Sequence, residues 1–267
     1  MGIQVCALPT AVLSSQTSGV GDFEFVDLSA SMPAFLKHWQ RMQLKFDCIY
    51  SGFLGSPAQV AIVEDCIRNC LEPGGLAVVD PVLGDNGKLI PTMTQEMVER
   101  MRHLVKQASC ITPNLTEAAL LLDEPYPFKA EEKGMDPGRM REWLVRLTEN
   151  GPETAIITSM PIGPERKNMA VVAYQSSRKR FWRVDCDYVP AIYPGTGDTF
   201  ASVLTASLMQ GDSLPMAMDR AVQFVTLGIR ASFGHDIPTR EGICLERVLG
   251  ALNVPLTATS YVLLENE

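Results

Sequence analysis

The chain has 267 residues, 46% of them hydrophobic, and a formal net charge of −8. That length and apolar content predict one large α/β domain spanning 1–267 rather than two. No basic cluster stands out, Arg178-Lys179-Arg180 being too short, which argues against nucleic acid or an anionic membrane as the main partner.

No apolar run reaches bilayer length and no basic-then-apolar leader pattern is visible, so the expectation is a soluble cytoplasmic protein. Seven scattered cysteines, with Cys66 and Cys70 four apart in a helical pattern and no histidine nearby, read as reduced core thiols rather than disulfides or zinc ligands. His38, His103 and His235 lie far apart, and nothing marks them as ligands.

In chain order, residues 3–8 predict a short strand. Residues 9–17 are small and hydroxyl-rich, with Gly19 and Gly21 following. They read equally as a loop or edge hairpin touching a small ligand and as an ordinary polar connection. Residues 35–44 predict a weak helix. Residues 46–50 predict a buried strand and 51–55 a turn; Ser56 is then the N-cap, with Pro57 at the first helical position. Val60, Val63, Ile67 and Leu71 give that helix its apolar face, Pro73-Gly74-Gly75 ends it, and 76–79 is the next strand. This βαβ unit implies parallel strands.

Asp80 follows that strand. Ligands in parallel α/β sheets bind at the carboxyl ends of strands, so Asp80 is placed to act near a cation or a phosphate; its plainer role is capping the turn. Met93, Met97, Met101, Leu104 and Val105 form a core stripe on a further helix. Residues 109–111 predict a strand running into Thr112-Pro113-Asn114-Leu115-Thr116-Glu117-Ala118. There Asn114 or Thr116 can cap a helix with Glu117 in its first turn, and Asn114 with Glu117 can also hold the water shell of Mg2+. Residues 123–138 form a long polar connection, expected to be mobile and placed to act as a lid. Residues 140–147 predict a helix. Residues 154–157 predict a strand ending in Thr158-Ser159. Residues 169–174 and 181–184 predict an antiparallel hairpin at the sheet edge.

The chain is organised around Tyr193-Pro194-Gly195-Thr196-Gly197-Asp198-Thr199-Phe200-Ala201. Phe200, Val203, Leu204 and Leu208 recur at helical spacing, so the glycines sit in a turn that opens a helix. Free N–H groups at a helix start, approached closely because glycine lacks a Cβ, favour an anion such as phosphate. Asp198 is then a carboxylate beside a bound phosphate, positioned to take a proton from an attacking hydroxyl. On the bland reading the glycines shape a turn and Asp198 caps the helix. That helix ends at Gly211, Ser213 caps the next, and apolar residues resume at 261–264.

These motifs resemble the ribokinase-like superfamily of small-molecule kinases, within it the pyridoxal/pyridoxamine kinase branch. The resemblance runs over nearly the whole chain. It rests on residues 8–14 with Thr17, on Ser51-Gly52-Phe53-Leu54-Gly55-Ser56, on Asp80-Pro81-Val82-Leu83-Gly84, on residues 112–118 and on Gly195-Thr196-Gly197-Asp198. It implies a three-layer α/β/α sandwich with a mostly parallel central sheet. The reaction it implies is transfer of the ATP γ-phosphate to the 5′-hydroxymethyl of pyridoxal, pyridoxine or pyridoxamine. By resemblance, Asp198 is the catalytic base, and Gly195, Thr196 and Gly197 form the anion hole. Asp80, Asn114 and Glu117 organise Mg2+ and the phosphates, Thr158 and Ser159 contact the nucleotide, and Thr10 and Phe53 line the pyridine pocket. Many relatives carry Tyr where this chain has Phe53, which removes one polar group. The branch implies a homodimer, and some members need K+.

One departure is large. Family members begin with an extra strand ahead of the residues matching 2–8, and this chain starts after it. The expectation is that Met1 is an internal methionine of a longer protein. Two rival readings stand beside the vitamin B6 kinase: the hydroxymethylpyrimidine kinase of thiamin synthesis, and a catalytically weak ligand-binding homologue.

Overall fold

Residues 77–79 alternate between two apolar clusters, and so do residues 155–157: Ala77, Val79, Ala155 and Ile157 enter one, Val78 and Ile156 the other. Strand side chains point alternately to opposite faces, so a sheet covered on both sides reads as a continuous apolar run. The computed structural model describes all residues except 16–21, 128–134, 150, 163–167, 188, 190, 192, 257 and 265–267. Thr17, Gly19, Gly21 and the middle of the 123–138 connection therefore lie outside the described residues.

The elements are β1 (Ala11–Leu13), β2 (Phe25–Asp27), α1 (Met32–Arg41), β3 (Phe46–Ser51), α2 (Pro57–Cys70), β4 (Leu71–Val79), β5 (Gly84–Asp85), β6 (Lys88–Leu89), α3 (Gln95–Val105), β7 (Cys110–Ile111), α4 (Leu115–Leu122), α5 (Pro137–Thr148), β8 (Thr154–Ile162), β9 (Asn168–Gln175), β10 (Arg180–Cys186), α6 (Thr196–Met209), α7 (Leu214–Gly234) and β11 (Tyr261–Leu264). The main sheet has the order β11-β10-β9-β8-β7-β4-β3. β3, β4, β7 and β8 pair in parallel; β8–β9, β9–β10 and β10–β11 are antiparallel. Five of the seven strands thus point the same way, which bears out the mostly parallel sheet. Helices α2 to α5 cover one face through Val63, Met101, Leu115 and Trp143. Helices α6 and α7 cover the other through Phe200, Leu204, Ala217 and Ala221.

Five sequence expectations are corrected. Residues 3–8 form no strand: no ladder joins them to the sheet, and extended backbone without a paired neighbour is not a strand. A cavity of about 520 Å3 lies between these residues, β3 and α6. α1 starts and ends three residues early, because Pro33 suits a first turn and Gln43 turns to φ +55, where the chain leaves the helix. α2 stops at Cys70, and Pro73-Gly74-Gly75 lies inside β4. A register shift lets Leu71 pair opposite Phe46 and Leu76 opposite Cys48. β8 runs on past Ile157 to Ile162 through an irregularity in its pairing with β9. The β9–β10 hairpin is not the sheet edge, since β11 pairs outside it.

Candidate active site

The site gathers where strands of the same direction end and α6 begins. Gly195 is the N-cap of α6 with φ +86, a left-handed conformation that glycine adopts without steric cost. The ladder of α6 starts when Thr199 N–H donates to the Gly195 carbonyl at 3.0 Å, and the Thr199 hydroxyl donates to the same oxygen at 2.7 Å. The N–H groups of Thr196, Gly197 and Asp198 precede that first bond, as at any helix start. A Cβ added at Gly195 or Gly197 would meet nothing within 4 Å, so the space over these groups is open. Asp198 lies in the first turn, where the helix dipole favours negative charge, and its side chain reaches solvent. Burial by the surrounding protein still pushes its carboxyl above the ordinary value.

Asp80, directly after β4, is almost wholly buried and accepts a 3.1 Å hydrogen bond from the Thr112 hydroxyl at the end of β7. Burial first, and then the charge of Asp198, raises its pKa to about 7, while the Thr112 bond works the other way. Glu117, in the first turn of α4, is also buried. Its Oε1 accepts from the Leu83 N–H at 3.1 Å and its Oε2 from the Asn114 N–H at 2.8 Å. Burial and the charge of Asp80 push its carboxyl well up, against those backbone bonds. Asn114 closes a capping box: its Oδ1 accepts from Glu117 N–H at 3.0 Å, and its Nδ2 donates to the Gly84 carbonyl at 2.8 Å. The structure therefore brings Asp80, Asn114, Glu117 and Asp198 into one electrostatic cluster. Thr116 is buried beside it and accepts from Gly87 N–H at 2.9 Å.

Thr158 is tied to this cluster through the backbone: it bridges Asn114, and its N–H donates to the Pro113 carbonyl at 2.9 Å. Ser159 follows in the left-handed region at φ +55, its side chain exposed. Thr10 and Phe53 meet directly, with the Thr10 hydroxyl 3.4 Å from the Phe53 carbonyl. Both line the 520 Å3 cavity, which Ser202 and Thr205 of α6 also line. An ideal Cβ at Gly52 would stand 4.0 Å from Asp198 Oδ1, which joins the β3–α2 turn to the α6 start.

Sequence reasoning missed three residues. Thr112 holds Asp80. Tyr50, on β3, reaches the field of Asp80 and Asp198, and those charges act after burial to raise its phenol. Gln59 is buried; it accepts from Gly55 N–H at 2.7 Å and donates to the Thr10 carbonyl at 2.9 Å. The spacing from Ser56 to Gln59 is that of a capping box and was the available signal for Gln59. Here the Gln59 side chain reaches one residue further back than the N-cap.

Asp80, Asn114 and Glu117 offer the hard oxygen donors that suit Mg2+. Glu117 already engages both oxygens with backbone N–H groups. Among the described residues, no group of three or more His, Cys, Asp or Glu side chains is placed to hold a metal directly. The set fits a hydrated cation held through its water shell; Asp198 raises Asp80 and Asp80 raises Glu117, and that negative charge is what the cation would neutralise. No helix among the described residues is long and apolar enough to cross a membrane.

Comparison with known proteins bears on this arrangement. The family model described as phosphomethylpyrimidine kinase matches residues 1–240. A pyridoxine/pyridoxal/pyridoxamine kinase of Bordetella avium is 32% identical over 188 residues, covering 66% of this chain and 57% of the relative. A crystal structure from Bacteroides thetaiotaomicron, provisionally named a phosphomethylpyrimidine kinase and containing pyridoxal, is 50% identical. It superposes with a TM-score of 0.92 over 98% of this chain and 90% of that one. Pyridoxal kinase from Lactobacillus plantarum is 33% identical with a TM-score of 0.80, covering 92% and 84% of the two chains. The chain spans about half the length of the curated relatives it matches.

Proposed function

We propose, from the premise that the chain belongs to the phosphomethylpyrimidine kinase family, that it transfers the γ-phosphate of ATP to the 5′-hydroxymethyl group of a vitamin B6 vitamer. The observation that carries this reading is the convergence of the α6 start on the acceptor cavity: Asp198 Oδ1 lies 4.0 Å from the Cβ position of Gly52, next to Phe53. Phosphoryl transfer needs neutralised charge and in-line geometry more than covalent chemistry. The N–H groups of Thr196, Gly197 and Asp198, opened by Gly195, supply donors for the transferring phosphoryl. Asp198 takes the proton of the attacking alcohol, and burial, by raising its pKa, makes it a stronger base than an ordinary aspartate. Asp80, Asn114 and Glu117 would hold the hydration shell of Mg2+, which when bound neutralises phosphate charge. Thr158 and Ser159 are assigned to the nucleotide, and Thr10 and Phe53 to the faces of the pyridine ring. The pyridoxal in the 50% identical Bacteroides structure supports the vitamer, as does the name of the Bordetella relative.

The family description favours a second reading with the same chemistry, phosphorylation of a hydroxymethylpyrimidine. One domain, a cytoplasmic location and a homodimer complete the proposal, and the K+ dependence of some members of the branch is part of the test below. The exposed Val12, Phe25 and Val26 of the β1–β2 hairpin support the dimer, and light scattering in solution tests it.

The test is ADP release from Mg-ATP with pyridoxal, pyridoxine, pyridoxamine and hydroxymethylpyrimidine offered separately, with and without K+. Turnover on a B6 vitamer that falls by 100-fold or more in Asp198→Asn, with ATP binding kept, is the expected result, a base contributing about 10²- to 10⁴-fold. Preference for the pyrimidine would move the assignment to the second reading. Near-normal turnover in Asp198→Asn would remove Asp198 as base. Ligand binding with no turnover on any alcohol would favour a binding protein.

A further inference from the structure

Past the register shift that follows Phe46, β3 alternates: Cys48 packs against the α6–α7 cluster, whereas Ile49 packs on the opposite side. Tyr50 follows the same alternation as Cys48. Its ring ends at the start of α6. An ideal Cβ at Gly52 would stand 3.3 Å from Tyr50 Oη and 4.0 Å from Asp198 Oδ1. Two oxygens of opposite hydrogen-bonding sense therefore flank one point. The phenol can donate; the carboxylate only accepts. That point borders the cavity lined by Thr10, Tyr50, Gly52 and Phe53. Burial, together with the charges of Asp80 and Asp198, keeps the phenol protonated and hence a donor.

We propose that Tyr50 is an acceptor-binding residue, its hydroxyl donating to the oxygen of the alcohol that Asp198 deprotonates. The assignment rests on the kinase reading above. An alcohol oxygen between the two groups donates its proton towards Asp198 and accepts from Tyr50, which fixes the lone pair that must meet phosphorus. In the step itself the alcohol oxygen bonds to the γ-phosphorus and the bond from that phosphorus to the bridging oxygen of ADP breaks. The alcohol proton passes to Asp198, and Tyr50 keeps its own. A hydroxyl-bearing substrate is thereby separated from an analogue that lacks the hydroxyl, since a site built to hydrogen-bond a group rejects the compound without it.

Tyr50→Phe removes the donor and keeps the ring, so the melting temperature should hold. The alcohol KM should rise and kcat should fall, together lowering kcat/KM for the alcohol by about tenfold, with the KM for ATP unchanged. By calorimetry, pyridoxal should bind Tyr50→Phe several-fold more weakly than wild type, while 5′-deoxypyridoxal should bind both proteins equally. Unchanged constants for pyridoxal, or equal losses for both compounds, would overturn the assignment. Should wild type turn over no alcohol, the kinase reading fails while the calorimetry still decides Tyr50. No binding of either compound to wild type would overturn both the vitamin B6 reading and this assignment.

Discussion

Asp80 and Asp198 arrive from different layers, one at the end of β4 and the other in the first turn of α6, and the charge of Asp198 falls on Asp80. Burial is the larger influence on Asp80, Asp198 the second, and together they outweigh the Thr112 hydrogen bond. A buried carboxylate facing a second carboxylate is expensive unless it is protonated or a cation lies nearby. A cation bound at this site would lower that cost.

A pH dependence of stability follows from this relationship. Asp80 titrates at its ordinary 3.8 in the unfolded chain and at about 7 when folded. Between those values the folded state keeps a proton that the unfolded state has lost. The contribution of Asp80 to stability is thus highest below about pH 4, falls as pH rises towards 7, and is level above that. The loss is on the order of a few kcal/mol. Asp80→Asn should flatten part of this slope. Glu117 and Asp198, whose carboxyls are also raised, keep the remainder. Urea unfolding at pH 4.5, 6 and 8 measures it, and parallel curves for the two proteins would show that Asp80 is not the source.

The two glycines of the α6 start should fail in different ways. Gly195 sits at φ +86, so Gly195→Ala costs about 1–2 kcal/mol of stability as well as activity. Gly197 has no positive φ, and a methyl there meets nothing within 4 Å. Gly197→Ala should melt no lower than wild type, because alanine is the better helix former. A methyl two residues into the helix is expected to crowd an anion held by the free N–H groups, and turnover should fall by tenfold or more. Thermal melts and ADP release separate the cases. Full activity in Gly197→Ala would mean that no anion approaches there.

Local periodicity made much of the fold legible. Val60, Val63 and Ile67 marked the buried face of α2, and Asn114 or Thr116 was legible as a cap with Glu117 in the first turn; the structure makes Asn114 the cap and adds the return bond of a capping box. What escaped depends on partners distant in sequence. Pro73-Gly74-Gly75 reads as a stop, yet pairing with β3 carries the strand through it. Residues 3–8 carry strand-like composition but lack a ladder, which no local pattern reveals. Thr112 meets Asp80 across 32 residues, and Gln59 meets Thr10 across 49. Tyr50 was legible as a strand residue, but its role depends on where α6 begins in space.

Gln59 supplies the last prediction. It is 1% exposed, and its side chain ties the Gly52–Gly55 turn to Thr10 and to the end of β2. Gly55 N–H donates to Gln59 Oε1 at 2.7 Å. Gln59 Nε2 donates to Thr10 O at 2.9 Å, Ser29 Oγ at 2.9 Å and Asp27 Oδ1 at 3.1 Å. In Gln59→Leu the Thr10 carbonyl keeps its 3.0 Å bond from Leu28 N–H, but Gly55 N–H loses its acceptor. An orphaned donor costs about 1–3 kcal/mol when fully buried, and half-buried Gly55 sets the lower end of that range. Gln59→Glu still accepts from Gly55 but sets a carboxylate against Thr10 O and Asp27, so at neutral pH it should be the less stable of the two and recover in mild acid. Thr10 and Phe53 line the cavity proposed to take the acceptor, so the KM for the alcohol should rise in Gln59→Leu well beyond any rise in the KM for ATP. Equal rises in both would mean that Gln59 supports the fold at large and not the acceptor pocket.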